Sequence, residues 1–112
     1  MQPETRKFLY DICQACEAIL KFSEGKSLAD YNGDLLLRSG VERQLMIIGE
    51  ALSQADKIDP NLSEAICSIR QIVNLRNVIV HGYSTVENET IWGILQEHIP
   101  GLHKQVKKLL GK

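Results

Sequence analysis

The sequence has no run of eighteen or more apolar residues, and only 5% of its 112 residues are aromatic. Without a long apolar run, no membrane-spanning helix is predicted. The segment from Met1 to Lys7 also lacks the basic-then-apolar order of a signal peptide, so we expect a cytoplasmic protein. Because aromatic side chains are scarce, we expect Ile, Leu and Val to fill most of the core.

Neither sign of charge is in excess, and cysteine is scarce. The formal net charge of −1 excludes a basic protein that coats nucleic acid, so any nucleic-acid contact must come from a local patch. The three cysteines are an odd number, which argues against a disulfide framework. Cys13 and Cys16 have the spacing of a redox pair or of half a zinc site, but no second half of a zinc site is apparent. We interpret both as small buried residues of a helix.

Apolar residues recur at steps of three and four in four segments, a pattern that predicts amphipathic helices. No run alternates as a strand would. We therefore predict an all-α fold, an antiparallel bundle of four helices, or five if a short turn is counted, in a single domain covering residues 1–112. The predicted helical segments are Glu4 to Ser23, the short turn Ser27 to Tyr31, Asp34 to Ala55, Pro60 to His81, and Asn88 to Leu110.

The second long helix has the most regular apolar stripe and two glycines. Gly40 and Gly49 each cost about 1 kcal/mol of helix stability relative to Ala, or else they permit another helix to approach closely. In the next helix we expect Val78, Ile79 and Val80 to anchor the end in the core. The stripe of the second helix consists of Leu37, Val41, Leu45, Ile48, Leu52 and Ala55, which is close to a heptad seam.

The segment from Arg76 to Tyr83 has the greatest chemical capability in the chain. Asn77 and His81 are four residues apart and share a helix face. Arg76 lies about 140° from His81 around the helix but is long enough to reach the same cleft. A guanidinium holds a phosphate with two hydrogen bonds, and an imidazole exchanges a proton near neutral pH. Metal-free RNA cleavage needs a base, an acid and a cation of this kind.

One chain supplies only one histidine in this segment. A two-fold dimer that joins two copies of the helix end would supply two His81 and two Arg76 side chains, so the chemistry favours a composite site in a homodimer. A purely structural interpretation is also open. An arginine and a histidine in the last turns of a helix complement its dipole, and Gly82 can cap it.

The spacing Arg76-Asn77-x-x-x-His81-x-Tyr83 resembles the R-x4-H-x-Y signature of the HepT-like proteins, a branch of the HEPN superfamily. Ile48-Gly49-Glu50-Ala51 resembles the core of that family's second helix. The segment from Val86 to Trp92 resembles the region after the signature, and Pro100 and Leu102 fit the family's tail. The resemblance covers nearly the whole chain. The stretch from Ile66 to Arg70 departs from it, since the family often has Pro-x-x-Pro-Trp-Arg there.

The resemblance implies an all-helical, HEPN-like dimer that is the toxin of a type VII-like toxin–antitoxin pair. It implies a metal-independent endoribonuclease with Arg76 and His81 catalytic, Asn77 orienting them, and no cofactor. The implied antitoxin is a minimal nucleotidyltransferase that transfers AMP to Tyr83, which would add bulk and negative charge beside His81. The alternative is a non-catalytic subunit that binds a nucleotide or substrate for such a nucleotidyltransferase.

Other polar residues have weaker expected roles. Arg43 and Arg70 are candidate RNA contacts beside Arg76. Glu50 is expected to form an ion pair with Arg43 or Arg76 rather than to face solvent alone. His98 and His103, in the last helix, are interpreted as surface or boundary residues.

Overall fold

A computed structural model describes residues 1–66, 68–81 and 87–112, with only the backbone described for His81. This part of the chain is helical and contains no strand, which confirms the all-α prediction. Two of its helices are short and four are long. They are α1 Pro3–Ser23, α2 Leu28–Gly33, α3 Leu35–Ile58, α4 Leu62–Ala65, α5 Ile69–His81 and α6 Asn88–Leu109.

Helix α3 occupies the middle of the packing. It lies against both α1 and α5, and α1 in turn packs against α6, while α2 contacts both α3 and α6. All six residues of the apolar stripe predicted for α3 are buried. The prediction from periodicity is therefore confirmed for this helix, and α3 is the element on which the position of α5 depends.

Side-chain caps fix where α2 and α3 begin. Ser27 Oγ accepts a hydrogen bond from the Asp30 amide at 3.2 Å, and Asp30 Oδ2 accepts one from the Ser27 amide at 2.9 Å. Asp34, where the second long helix was predicted to begin, is the N-cap of α3, since its Oδ1 accepts a hydrogen bond from the Leu37 amide at 3.1 Å. A helix that starts at a fixed residue has a fixed rotational phase, so these caps help determine which side chains face the core.

The predicted third helix is interrupted. Instead of one helix from Pro60 to His81, α4 ends at Ala65, Ile66 takes an extended conformation, and α5 begins at Ile69. Leu62, Ile66 and Ile69 are all buried. Their spacing of four and three suits a continuous helix as well as a broken one, so periodicity did not reveal the break. It falls in the stretch that departs from the family pattern, and Cys67 there lies outside the described residues.

The exposed face of α5 also differs from the prediction. The buried residues are Ile69, Ile72, Leu75 and Ile79, whereas Val78 is 45% and Val80 37% exposed. The expectation that Val78 and Val80 anchor the helix in the core is therefore wrong. Steps of three, three and four from Ile69 lead to Ile79, and the neighbouring positions 78 and 80 are rotated away from α3.

The remaining long helices follow their apolar stripes. Helix α6 continues through Pro100, which is exposed, and buries Ile99 while His98 stays at the boundary. Cys13 and Cys16 of α1 are buried free thiols, as interpreted from the sequence. None of the helices in the described ranges has the length and hydropathy needed to cross a bilayer.

Candidate active site around Arg76

Arg76 is the centre of a chain of polar contacts between α5 and α3. Its Nη2 lies 2.6 Å from Glu50 Oε2, and its Nη1 donates to Asn77 Oδ1 at 2.7 Å. Gln54 Nε2 donates to the other carboxylate oxygen of Glu50 at 3.0 Å. The expected ion pair of Glu50 is confirmed, with Arg76 as its partner. Glu50 and Asn77 thus orient the guanidinium of Arg76 directly, and Gln54 supports Glu50.

The ion pair is partly exposed, which limits its effect on stability. The Arg76 side chain is 27% and the Glu50 side chain 48% exposed. Pairs in contact with water contribute about 0–1 kcal/mol to folding. Its main consequence is geometric, because a guanidinium held at two nitrogens presents its remaining N–H donors in a defined direction.

Gly49 makes this contact possible. A Cβ atom at residue 49 would overlap Arg76 Cβ and lie 2.8 Å from Arg76 Cγ, closer than real side-chain carbons approach. Of the two roles considered for this glycine, close helix approach is the one the structure supports. The aliphatic stem of Arg76 lies over Gly49, and its charged end reaches the next residue, Glu50. Gly49 therefore contacts the aliphatic part of the Arg76 side chain, and the next residue of α3, Glu50, contacts its guanidinium.

A cleft of about 350 Å³ opens beside this contact. Its charged groups are two cations, Arg43 and Arg76, and two carboxylates, Asp11 and Glu50, so the charges balance. One wall is apolar and partly buried. The full lining is Phe8, Asp11, Arg43, Met46, Ile47, Glu50, Ala51 and Arg76.

The structure brings some of the predicted site residues together and separates others. Arg43 shares the cleft with Arg76, and Asn77 contacts Arg76 directly. Arg70 instead lines a separate cavity with Asp56 and Lys57 and is not among the residues that line the cleft of Arg76.

The predictions for His81 and Tyr83 fall on parts of the chain that are not described. His81 is the last residue of α5, so its backbone follows Arg76 by five helical residues, but its side chain lies outside the described atoms. Tyr83, with the rest of residues 82–86, lies outside them altogether.

Two polar members of this site, Gln54 and Asp11, were not predicted from the sequence. Gln54 is four residues after Glu50 on the same helix, a spacing that indicates contact, so the sequence carried that signal. Asp11 belongs to α1, and no local pattern connects it with Arg76.

Comparisons with known proteins agree with the earlier resemblance. The family described as Ribonuclease HepT-like matches residues 12–109. A protein of Caldanaerobacter subterraneus subsp. tengcongensis, named "Putative RNase TTE0752", is 33% identical over 107 residues, covering 96% of this chain and 95% of that protein. A Thermococcus cleftensis protein named "Probable ribonuclease HepT" is 29% identical over 109 residues, covering 97% and 98%. No solved structure matches.

Replacing Gly49 tests the close approach of α5. Alanine normally strengthens a helix, but here its methyl group would collide with the Arg76 stem. We expect Gly49→Ala to lower the free energy of unfolding by about 1–3 kcal/mol, as overpacking does, measured by urea denaturation.

Gly93→Ala is the matched control, since it also lies within a helix and its Cβ would meet no atom within 4 Å. It should stabilise the protein by up to about 1 kcal/mol. Equal stabilisation by both substitutions would contradict the importance of Gly49.

Proposed function

Since the chain belongs to the ribonuclease HepT-like family, we propose that it is an endoribonuclease that cleaves RNA without a metal ion. The observation that carries the proposal is the guanidinium of Arg76, held between Glu50 and Asn77 at the edge of a cleft. Two of its nitrogens are engaged by protein oxygens. Its remaining N–H donors are available for a phosphate oxygen.

The proposed reaction uses the 2′-hydroxyl of RNA as nucleophile. One His81 imidazole removes the proton of that hydroxyl, and the oxygen attacks the adjacent phosphorus. The bond to the 5′-oxygen breaks, a protonated His81 donates a proton to that oxygen, and a 2′,3′-cyclic phosphate remains. Arg76 stabilises the charge that accumulates on the phosphorane oxygens. Asn77 holds Arg76 in place, so it acts as a positioning residue.

A base and an acid in one step require two histidines, which we propose come from two copies of the chain. Exposed apolar side chains on α5 and in the cleft support this arrangement. Val80 is exposed four residues after Arg76, on the same face of α5, and Val78 is exposed three residues before His81. Phe8, Met46 and Ile47 form the apolar wall of the cleft. A second copy covering these side chains would bury apolar surface and place its own His81 near the first.

The two candidate RNA contacts have different positions in this proposal. Arg43 borders the same cleft as Arg76, so it would hold a phosphate close to the one that is cleaved. Arg70 borders the other cavity and would contact RNA only beyond the cleft.

We further propose that this enzyme is the toxin of a type VII-like toxin–antitoxin pair. Its partner would be a minimal nucleotidyltransferase that transfers AMP from ATP to the Tyr83 hydroxyl, releasing pyrophosphate. Tyr83 follows His81 by two residues in the sequence. An added phosphodiester so near would repel an RNA phosphate and obstruct its binding.

Removal of either catalytic residue should abolish cleavage. We expect Arg76→Ala and His81→Ala each to reduce cleavage of RNA in EDTA by at least about 100-fold, the usual effect of losing an acid–base group or an oxyanion donor. Product analysis should find cyclic phosphate ends with the wild-type protein.

His98→Ala is the control for this experiment, since it removes a histidine outside the cleft and should leave cleavage unchanged. Wild-type cleavage by both site variants would refute the proposed mechanism. Tight nucleotide binding by a protein that never cleaves RNA would favour the non-catalytic alternative.

A charge on the exposed face of α5 should separate the two copies. Val78→Glu places two like charges in the proposed dimer interface, so we expect a folded monomer that has lost cleavage activity. Sedimentation analysis and circular dichroism would measure mass and helix content.

Leu36→Glu is the matched control, because Leu36 is an exposed leucine of α3 that does not border the cleft. It should remain a dimer. A fully active monomer of the Val78→Glu variant would rule out the composite site.

Adenylylation is expected at Tyr83 and nowhere else. Incubation with ATP and the nucleotidyltransferase encoded nearest to this gene should add the mass of AMP to the peptide containing Tyr83 and stop cleavage. Tyr10→Phe removes an exposed tyrosine of α1 and should still be modified. Modification that persists in Tyr83→Phe would exclude Tyr83 as the acceptor.

A further inference from the structure

A second polar cluster lies between α1 and α6 and has no part in the proposed cleavage. Cys13 and Glu17 are four residues apart on α1, and the Cys13 Sγ–Glu17 Oε2 distance is 3.3 Å. His103 of α6 places its Nε2 3.0 Å from the same Glu17 oxygen. One sulfur, one nitrogen and one oxygen from these residues all lie within 4.8 Å of one another.

These three atoms form a donor set suited to a transition metal. Thiolate, imidazole and carboxylate are the ligands that Zn²⁺ takes in proteins, with bonds of about 2.3, 2.0–2.1 and 2.0–2.2 Å. Bonds of that length in a tetrahedron place sulfur about 3.5–3.7 Å from oxygen, and nitrogen about 3.3–3.5 Å from oxygen. The Sγ–Oε2 distance of 3.3 Å and the Nε2–Oε2 distance of 3.0 Å are each a few tenths of an ångström shorter, and Sγ lies within 4.8 Å of Nε2. Side-chain movements would bring the three donors to these separations. A thiolate also disfavours Mg²⁺ and Ca²⁺, which prefer oxygen.

Packing holds the Cys13 and His103 donors in place, whereas the Glu17 side chain lies at the surface and can adjust its position. Cys13 is 4% exposed, the His103 side chain 18%, and the Glu17 side chain 53%. The sulfur and the imidazole are therefore positioned by packing, while the carboxylate closes the cluster from the surface. An ion could enter from the Glu17 side without unfolding α1 or α6.

The charges of the cluster match a divalent ion. A thiolate and a carboxylate together carry two negative charges, and the neutral imidazole adds none. Lys107 and Lys112 lie near enough to affect Cys13 and would weaken the attraction for a cation.

We propose that Cys13, Glu17 and His103 bind one Zn²⁺ ion, with water as its fourth ligand. The ion would join α1 to α6 and stabilise the folded chain. The ligands belong to α1 and α6, whereas Arg76 and Glu50 belong to α5 and α3. The cluster is therefore separate from the cleft, and the proposed cleavage of RNA does not use it.

Cobalt titration provides a direct test. The full, untagged chain is reduced, freed of metal with a chelator and titrated with Co²⁺, then with Zn²⁺. We expect a thiolate-to-cobalt charge-transfer band that saturates at one ion per chain and is abolished by Zn²⁺. Zn²⁺ should also raise the melting temperature.

Variants identify the ligands. Cys13→Ser should abolish the band, and Glu17→Gln and His103→Ala should each weaken Zn²⁺ binding. Loss of a ligand should weaken Zn²⁺ binding by more than the about 10–100-fold that is typical of losing an outer hydrogen-bond partner of a metal ligand. Glu17 lies at the surface, so Glu17→Gln should fold normally, as circular dichroism can check.

The controls remove the same types of residue elsewhere. Cys16→Ala, Cys67→Ala and His98→Ala should retain the band and the Zn²⁺ effect on melting. A band that survives in Cys13→Ser would overturn the assignment. The assignment would also be overturned if His103→Ala lowered the melting temperature while Zn²⁺ never changed the melting temperature of the wild-type chain. The cluster would then be only a hydrogen-bonded link between two helices.

Discussion

The close approach of α5 to α3 at Gly49 is the contact on which the candidate active site depends. Glycine inside a helix costs about 1 kcal/mol relative to alanine, and the ion pair beside it contributes about the same or less. Neither the glycine nor the ion pair is therefore strong enough to hold α5 against α3. Apolar packing of residues such as Ile48 and Ile72 holds the two helices together, and Gly49 permits the spacing at which Arg76 can reach Glu50.

In the proposed reaction, the charge balance of the cleft limits how RNA can bind. Two arginines face two carboxylates there, and the whole chain has a net charge of −1. Such a surface provides little long-range attraction for a polyanion. Binding must instead come from oriented donors at short range. The contacts of Arg76 with Glu50 and Asn77 supply that orientation, so the carboxylate that weakens the local positive field also directs the remaining N–H groups.

Local patterns in the sequence predicted much of the fold. Apolar periodicity identified the long helices and every buried residue in the stripe of α3, and Asp34 marked where that helix begins. The break at Ile66 escaped because its buried neighbours suit either geometry. Val78, Ile79 and Val80 were all assigned to the core, although successive helical residues differ by about 100° and cannot all face it. Only Ile79 of the three is buried.

For the site, the sequence predicted contacts that are local or fit a known signature. The ion pair between Glu50 and Arg76 was among the expected alternatives, but the cleft that Asp11 completes was not. Cys13 was interpreted only as a small core residue. Its nearest polar partners include His103, which lies 86 residues beyond Glu17, and no helical spacing connects residues so far apart. Such contacts become visible only when the packing of α1 against α6 is known.

Helix α1 connects the two polar clusters. Phe8 and Asp11 are three residues apart and face the cleft of Arg76, while Cys13 and Glu17 are four apart and face α6. Asp11 and Cys13 differ by about 200° around the helix, so the two pairs lie on opposite sides of α1. A link between α1 and α6 therefore touches no residue of the cleft. It restrains the helix that supplies one wall of that cleft, so its effect on RNA binding would come through the position of Phe8 and Asp11.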